Sequence, residues 1–172
     1  MKFLPIENLS YQTNLSVDEV ISRLSNYIEP KKTFRFGLFG KAATKPYEGQ
    51  IIGHSFELNR IINYRNSFLP QITGVIEGNT TGTTIKVKMR MHIFVIAFIC
   101  FWLFGVGIAG FAFLYQGISD SSYSLFTFIP LGMLLFLYAL TMFGFKLESS
   151  RSKKDLQNLF EVRSTNPDND LL

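Results

Sequence analysis

Between Ile93 and Phe145 the chain has no lysine, arginine, glutamate or histidine, and Asp120 is its one acid there. Proton relays, voltage sensors and most ion pathways place ionisable groups inside their apolar segments. Their absence argues against a pump or coupled transporter, and leaves open a pore made by several copies. Cysteine is scarce too. Cys100 stands alone, so no disulfide framework and no cysteine-based metal site can form within the chain. The formal net charge of only +4 is too small to point to nucleic acid, and the basic residues are not interleaved with aromatics as such binding favours. The segment Met1 to Asn8 has no long apolar run, so it does not read as a secretory signal.

Catalytic punctuation is missing as well. No HExxH pair, Cys/His cluster, GxSxG elbow or GxxxxGK loop occurs. Of the two histidines, His54 has the apolar neighbours Ile52 and Phe56 at i±2 and reads as a satisfied sheet residue. Asp18 and Glu19 are accounted for by favourable charge at a helix N-terminus. No catalytic residue, cofactor or metal ligand is expected, and a membrane-bound enzyme ranks last among the possible functions.

What the chain does have is aromatic, apolar sequence. More than half of its 18 phenylalanines fall between Phe94 and Phe145. Ile93–Tyr115 and Tyr123–Phe145 each run 23 residues without a charge, about 34 Å as a helix, enough to cross a ~30 Å hydrocarbon core. The polar turn Gln116–Ser122 separates them, and Tyr115 and Tyr123 flank it at interfacial depth. Lys86, Lys88, Arg90 and His92 precede the first span; Lys146, Arg151, Lys153 and Lys154 follow the second; the turn has no lysine or arginine. By the positive-inside rule both termini are cytoplasmic, and a bacterial inner membrane is the expected location. The sequons at Asn8, Asn14 and Asn79 would then lie on the unglycosylated side.

Small residues mark candidate helix-packing positions. Gly105, Ala109 and Ala112 share one face of the first span, and Gly132 and Ala139 one face of the second. Such faces allow close backbone approach, either between the two helices of one hairpin or between hairpins of an oligomer. Pro130 is expected to bend the second helix near its outer end.

Ahead of the spans, Ser16-Val17-Asp18-Glu19 has the form of a capping box, and Val17, Val20, Ile21, Leu24, Tyr27 and Ile28 recur at helical spacing up to Pro30. A first strand is expected within 6–15, and further strands at Thr33–Leu38, Glu48–Ile62, Phe68–Glu77 and Thr84–His92. In the last of these Ile85, Val87, Met89 and Met91 alternate with Lys86, Lys88, Arg90 and His92. Almost no linker separates this strand from the first span. Lys86, Lys88, Arg90, His92, Lys146 and Arg151 are therefore candidates for contact with anionic inner-leaflet headgroups, which attract nearby basic groups.

The expected fold class is an α+β membrane protein. Residues 1–92 form an antiparallel, β-rich cytoplasmic domain with one amphipathic helix, and residues 93–145 a two-helix transmembrane hairpin (93–115 and 123–145). Residues 146–163 form a short amphipathic helix that either completes the N-terminal domain or lies on the membrane, and 164–172 a flexible tail. The expected partners are the bilayer, an unidentified cytoplasmic ligand or protein, and further copies of the chain. Two functions compete: a non-enzymatic sensor or effector that couples binding to hairpin association or permeabilisation, and a membrane-anchored scaffold or interaction module.

Overall fold

A computed structural model describes residues 4–30, 44–62, 64, 66–119 and 125–167. The chain starts with β1 (Ile6–Thr13) and enters α1 (Val17–Tyr27) through the expected capping box. The Ser16 hydroxyl accepts from the Glu19 amide at 3.3 Å, and the Glu19 carboxylate accepts from the Ser16 amide at 2.8 Å. Those bonds to the carboxylate hold Glu19 below the usual carboxylate range, chiefly through the Ser16 backbone. Val20 and Leu24 are the fully buried residues of the helix.

The chain then makes β2 (Ile28–Pro30), β3 (Tyr47–Ile52), β4 (Ser55–Arg60), β5 (Pro70–Asn79) and β6 (Gly82–Met91). These strands precede two long apolar helices, α2 (Ile93–Ser119) and α3 (Ile129–Leu159), with a single 3₁₀ turn, Leu125–Phe128, ahead of α3. A last strand, β7 (Ser164–Pro167), returns to the sheet. The order across the sheet is β2-β3-β4-β5-β6-β1-β7.

The sheet is mixed rather than purely antiparallel, because β2 runs parallel to β3 while the other pairs are antiparallel. The stretch Glu48–Ile62 is two strands, not one. Gly53 takes a φ of 57°, a left-handed conformation open to glycine, and the chain turns back there with Ile52 opposite Ser55. His54 therefore sits exposed on a turn, and its carbonyl accepts from the Ile76 amide at 2.8 Å. The expected strand Thr33–Leu38 lies outside the described residues.

Residues paired across antiparallel strands share a face. One face gathers Tyr11, Tyr47, Phe56, Leu58, Ile72, Ile76, Ile85, Val87, Met89 and Met91, all buried. Val20 and Leu24 of α1 cover it from one side; Phe145, Leu156 and Phe160, in and just after α3, complete the same core. Burying each large apolar side chain contributes about 1.5–3 kcal/mol. On β6 the alternation is as expected, with Lys86, Lys88 and Arg90 on the opposite face.

The largest departure from expectation is α3. The separate C-terminal helix does not exist: one helix runs unbroken from Ile129 to Leu159. Polarity changes at Lys146, yet the following residues (Lys, Leu, Glu, Ser, Arg, Asp, Gln, Asn) contain no proline or glycine to stop a helix. Nor does Pro130 bend it. It occupies the first turn, where its missing N–H is one that no helical carbonyl needs. After α3 the Arg163 amide donates to the Gln12 carbonyl at 2.9 Å, and Ser164–Pro167 pairs with β1 where a loose tail was expected.

Candidate functional site

Where the apolar helices meet the sheet, the chain makes two short connections. The first is β6 to α2 through His92 alone. The His92 carbonyl accepts from the Val95 and Ile96 amides, its Nδ1 accepts from the Phe94 amide at 3.3 Å, and its ring stacks on Phe94 at 5.3 Å. The second connection is α3 itself. Phe68 lies against Gly144 so closely that a Cβ on that glycine would stand 2.8 Å from the Phe68 ring.

Beyond Gly144 the helix carries Glu148 and Asp155 seven residues apart, on one face. Both turn toward the sheet. The Glu148 side chain is only 3 % exposed; it accepts from Arg60 Nη1 at 3.1 Å, from Arg151 Nη1 at 3.2 Å and from the Tyr64 hydroxyl. Arg60 Nε lies 3.7 Å from Asp155 Oδ2, which also accepts from the Tyr47 hydroxyl at 2.9 Å. Arg60 thus bridges two carboxylates of α3 from the end of β4. Arg151 Nη1 also donates to the Tyr64 hydroxyl at 2.9 Å, and Lys153 pairs with Glu7 of β1. Ser149, fully buried, places its hydroxyl 3.7 Å from Met89 Sδ.

These contacts shift the tyrosines upward. The bond to Glu148 raises Tyr64 first, since the neutral phenol is the donor. Burial raises Tyr47 and Tyr11 strongly and Tyr27 to a lesser extent. The arrangement satisfies buried charge and ties the helix to four strands, β1, β3, β4 and β6. Among the described residues no group of three His, Cys, Asp or Glu comes together that could hold a metal ion.

The face of the sheet away from α1 and α3 carries a shallow concavity of about 450 Å³. Ile52, Glu57, Val75, Glu77 and Lys86 contribute to its lining. Ile52 and Val75 are exposed there.

The six basic residues expected at a membrane surface separate into distinct settings. Lys86 pairs with Glu77 at 3.2 Å and lies five strand residues from Met91, about 17 Å. Lys88 lines the concavity, and Arg90 is exposed near the end of the strand. His92 forms the joint into α2, Lys146 is exposed on α3, and Arg151 joins the clasp.

The five small residues do not hold the hairpin together. A Cβ on Gly105 or Gly132 would meet nothing within 4 Å, and Ala109, Ala112 and Ala139 are exposed. Contact runs instead through Gly110, where a Cβ would stand 3.2 Å from Pro130. A crevice of about 300 Å³ beside it is lined by Gly107, Phe111, Thr127, Leu131 and Leu134 among others.

Of the clasp, sequence reading picks out Arg151 alone, as a candidate for headgroup contact, and misses Arg60, Tyr64, Glu148 and Asp155. One signal was there to find. Glu148 and Asp155 are the only acids in a basic stretch, and their spacing puts them on a common face. No protein-family model, curated protein or solved structure matches this chain.

Proposed function

We propose that the chain is an integral membrane protein whose sheet domain is a non-enzymatic binding head, rigidly coupled to a two-helix hairpin, with both termini cytoplasmic. The two helices are long and apolar enough to cross a membrane. In this reading the pocket on the outer face of the sheet takes a ligand or partner, and the hairpin responds by association or by perturbing the bilayer. The observation that carries it is the unbroken α3, whose apolar half ends at Phe145 and whose second half packs one side against the sheet core. A sheet held this way cannot shift without moving the helix. Outward Gly105 and Gly132 give neighbouring hairpins a smooth surface on which to associate.

The second reading, a hairpin that only anchors an interaction module, is favoured by the lack of basic residues and the single acid in 93–145. Reconstitution of the full chain into dye-loaded vesicles decides between them. The protein is expected to float with the vesicles after an alkaline wash, and leakage to rise with protein-to-lipid ratio and fall when Gly105 and Gly132 become leucine. Flotation without leakage at any ratio leaves the anchor reading; loss from the vesicles on washing removes both.

A further inference from the structure

In sequence the segment after Phe145 mixes signs: Lys146, Arg151, Lys153 and Lys154 against Glu148 and Asp155. The fold sorts them. Both carboxylates face the sheet and are held by Arg60, and Lys153 is taken by Glu7. Lys146, Ser150, Arg151 and Lys154 recur at i, i+4, i+5 and i+8, so they share one side of α3, and all four are exposed. The next acid along the chain, Glu161, pairs with Arg23 at 2.7 Å. The outer side of α3 therefore shows only cations, of which Arg151 is shared with Glu148, beginning one residue after Phe145, the last residue of the charge-free run. Leu147, 45 % exposed, adds an apolar side chain at the same level.

We infer that this strip binds the anionic headgroups of lipids that clad the hairpin. The inference rests on the membrane reading above. Position selects lipid over an acidic protein. The strip is continuous with the apolar half of α3, so headgroups must stand beside Lys146. Lys154 lies eight residues further, about 12 Å along the axis, about one and a half screening lengths at physiological salt, so Lys146 contributes the larger share. Lys86, on the other face of the sheet and paired with Glu77, takes no part.

Trp102, the only tryptophan, lies in α2 and reports the lipid beside the hairpin. The full chain is reconstituted in mixtures of phosphatidylcholine and phosphatidylglycerol, one of the two brominated on its acyl chains, and quenching of Trp102 gives their relative binding. Each basic group near the surface favours the anionic lipid by about fivefold at low salt. The wild type is expected to prefer phosphatidylglycerol by at least that factor. The variant K146Q/K154Q, which leaves the clasp intact, should lose most of the preference; K146R/K154R and K86Q/K88Q should keep it. Equal preference in the wild type and K146Q/K154Q overturns the proposal, as does binding of poly-glutamate through the strip with no lipid preference. No quenching by either brominated lipid takes away the membrane reading, and the proposal with it.

Discussion

The two halves of α3 share one backbone and have opposite surroundings. In the first half Leu135 and Phe136 are 64 % and 68 % exposed, although the segment is almost wholly apolar. In the second half, where polar residues are the majority, Leu156 is fully buried and Phe160 just beyond the helix is too. Composition and burial run in opposite senses along a single helix. Apolar side chains pointing outward in the first half are what a lipid surround would accommodate; the few apolar residues of the second half are spaced to meet a sheet.

That contrast is broken most sharply by cutting one leucine in each half. Leu156→Ala removes a fully buried side chain from the core and is expected to destabilise the sheet domain by about 2–5 kcal/mol. Leu135→Ala should change the same transition by less than about 0.5 kcal/mol, because nothing in the sheet core rests on it. Urea unfolding of the full chain in detergent, followed by circular dichroism in the β region, measures both. Equal losses would mean that the two halves are not in different surroundings.

Much of this architecture was legible in the sequence. The capping box at Ser16 and Glu19, the alternation in β6 and the two charge-free runs each carry a local signal, and they became a capped helix, a strand and two long apolar helices. What stayed hidden was long-range. The parallel pairing of Ile28–Pro30 with Tyr47–Gly49 leaves no mark in either segment. The switch from lipid-like to water-like composition at Lys146 looks like the end of a helix, but a change of surroundings costs the backbone nothing and the helix continues. The partners of the acids on α3 were invisible for a related reason. Arg60 and Tyr64 lie 88 and 84 positions from Glu148, and periodicity within a segment cannot report on such a pair.

The clasp gives the next test of how firmly the second half of α3 is held. Arg60→Ala leaves Glu148 buried with one strong partner gone and takes a cation from Asp155 as well. Breaking a buried ion pair from one side is expected to cost about 3 kcal/mol, slightly less than the worst core truncation. Replacing both partners, Arg60→Met with Glu148→Leu, should recover part of that loss, since an apolar pair of similar size needs no desolvation of charge. Recovery separates a buried charge left alone from a lost packing contact, and denaturant titration of the single and double variants reads it.

Arg151 sharpens the comparison at its smallest scale, because it reaches the same Glu148 carboxylate from the exposed side. Its side chain is 55 % exposed, against 23 % for Arg60. Water screens the pair and solvates the guanidinium once it is released, so Arg151→Ala should cost less than about 1 kcal/mol. A second readout keeps the prediction specific. The Arg151 charge opposes the upward shift of the Tyr64 hydroxyl, so its removal should push Tyr64 further up in an alkaline absorbance titration. The linked stability has a definite sign. A phenol raised above its ordinary value of 10.0 contributes fully below pH 10 and loses that contribution as pH rises through the folded value, where the unfolded chain is already ionised. The variant should therefore hold the Tyr64 contribution to higher pH than the wild type while being slightly less stable at neutrality. A downward move of Tyr64 on removing Arg151 would show that the arginine, and not Glu148, keeps the phenol protonated.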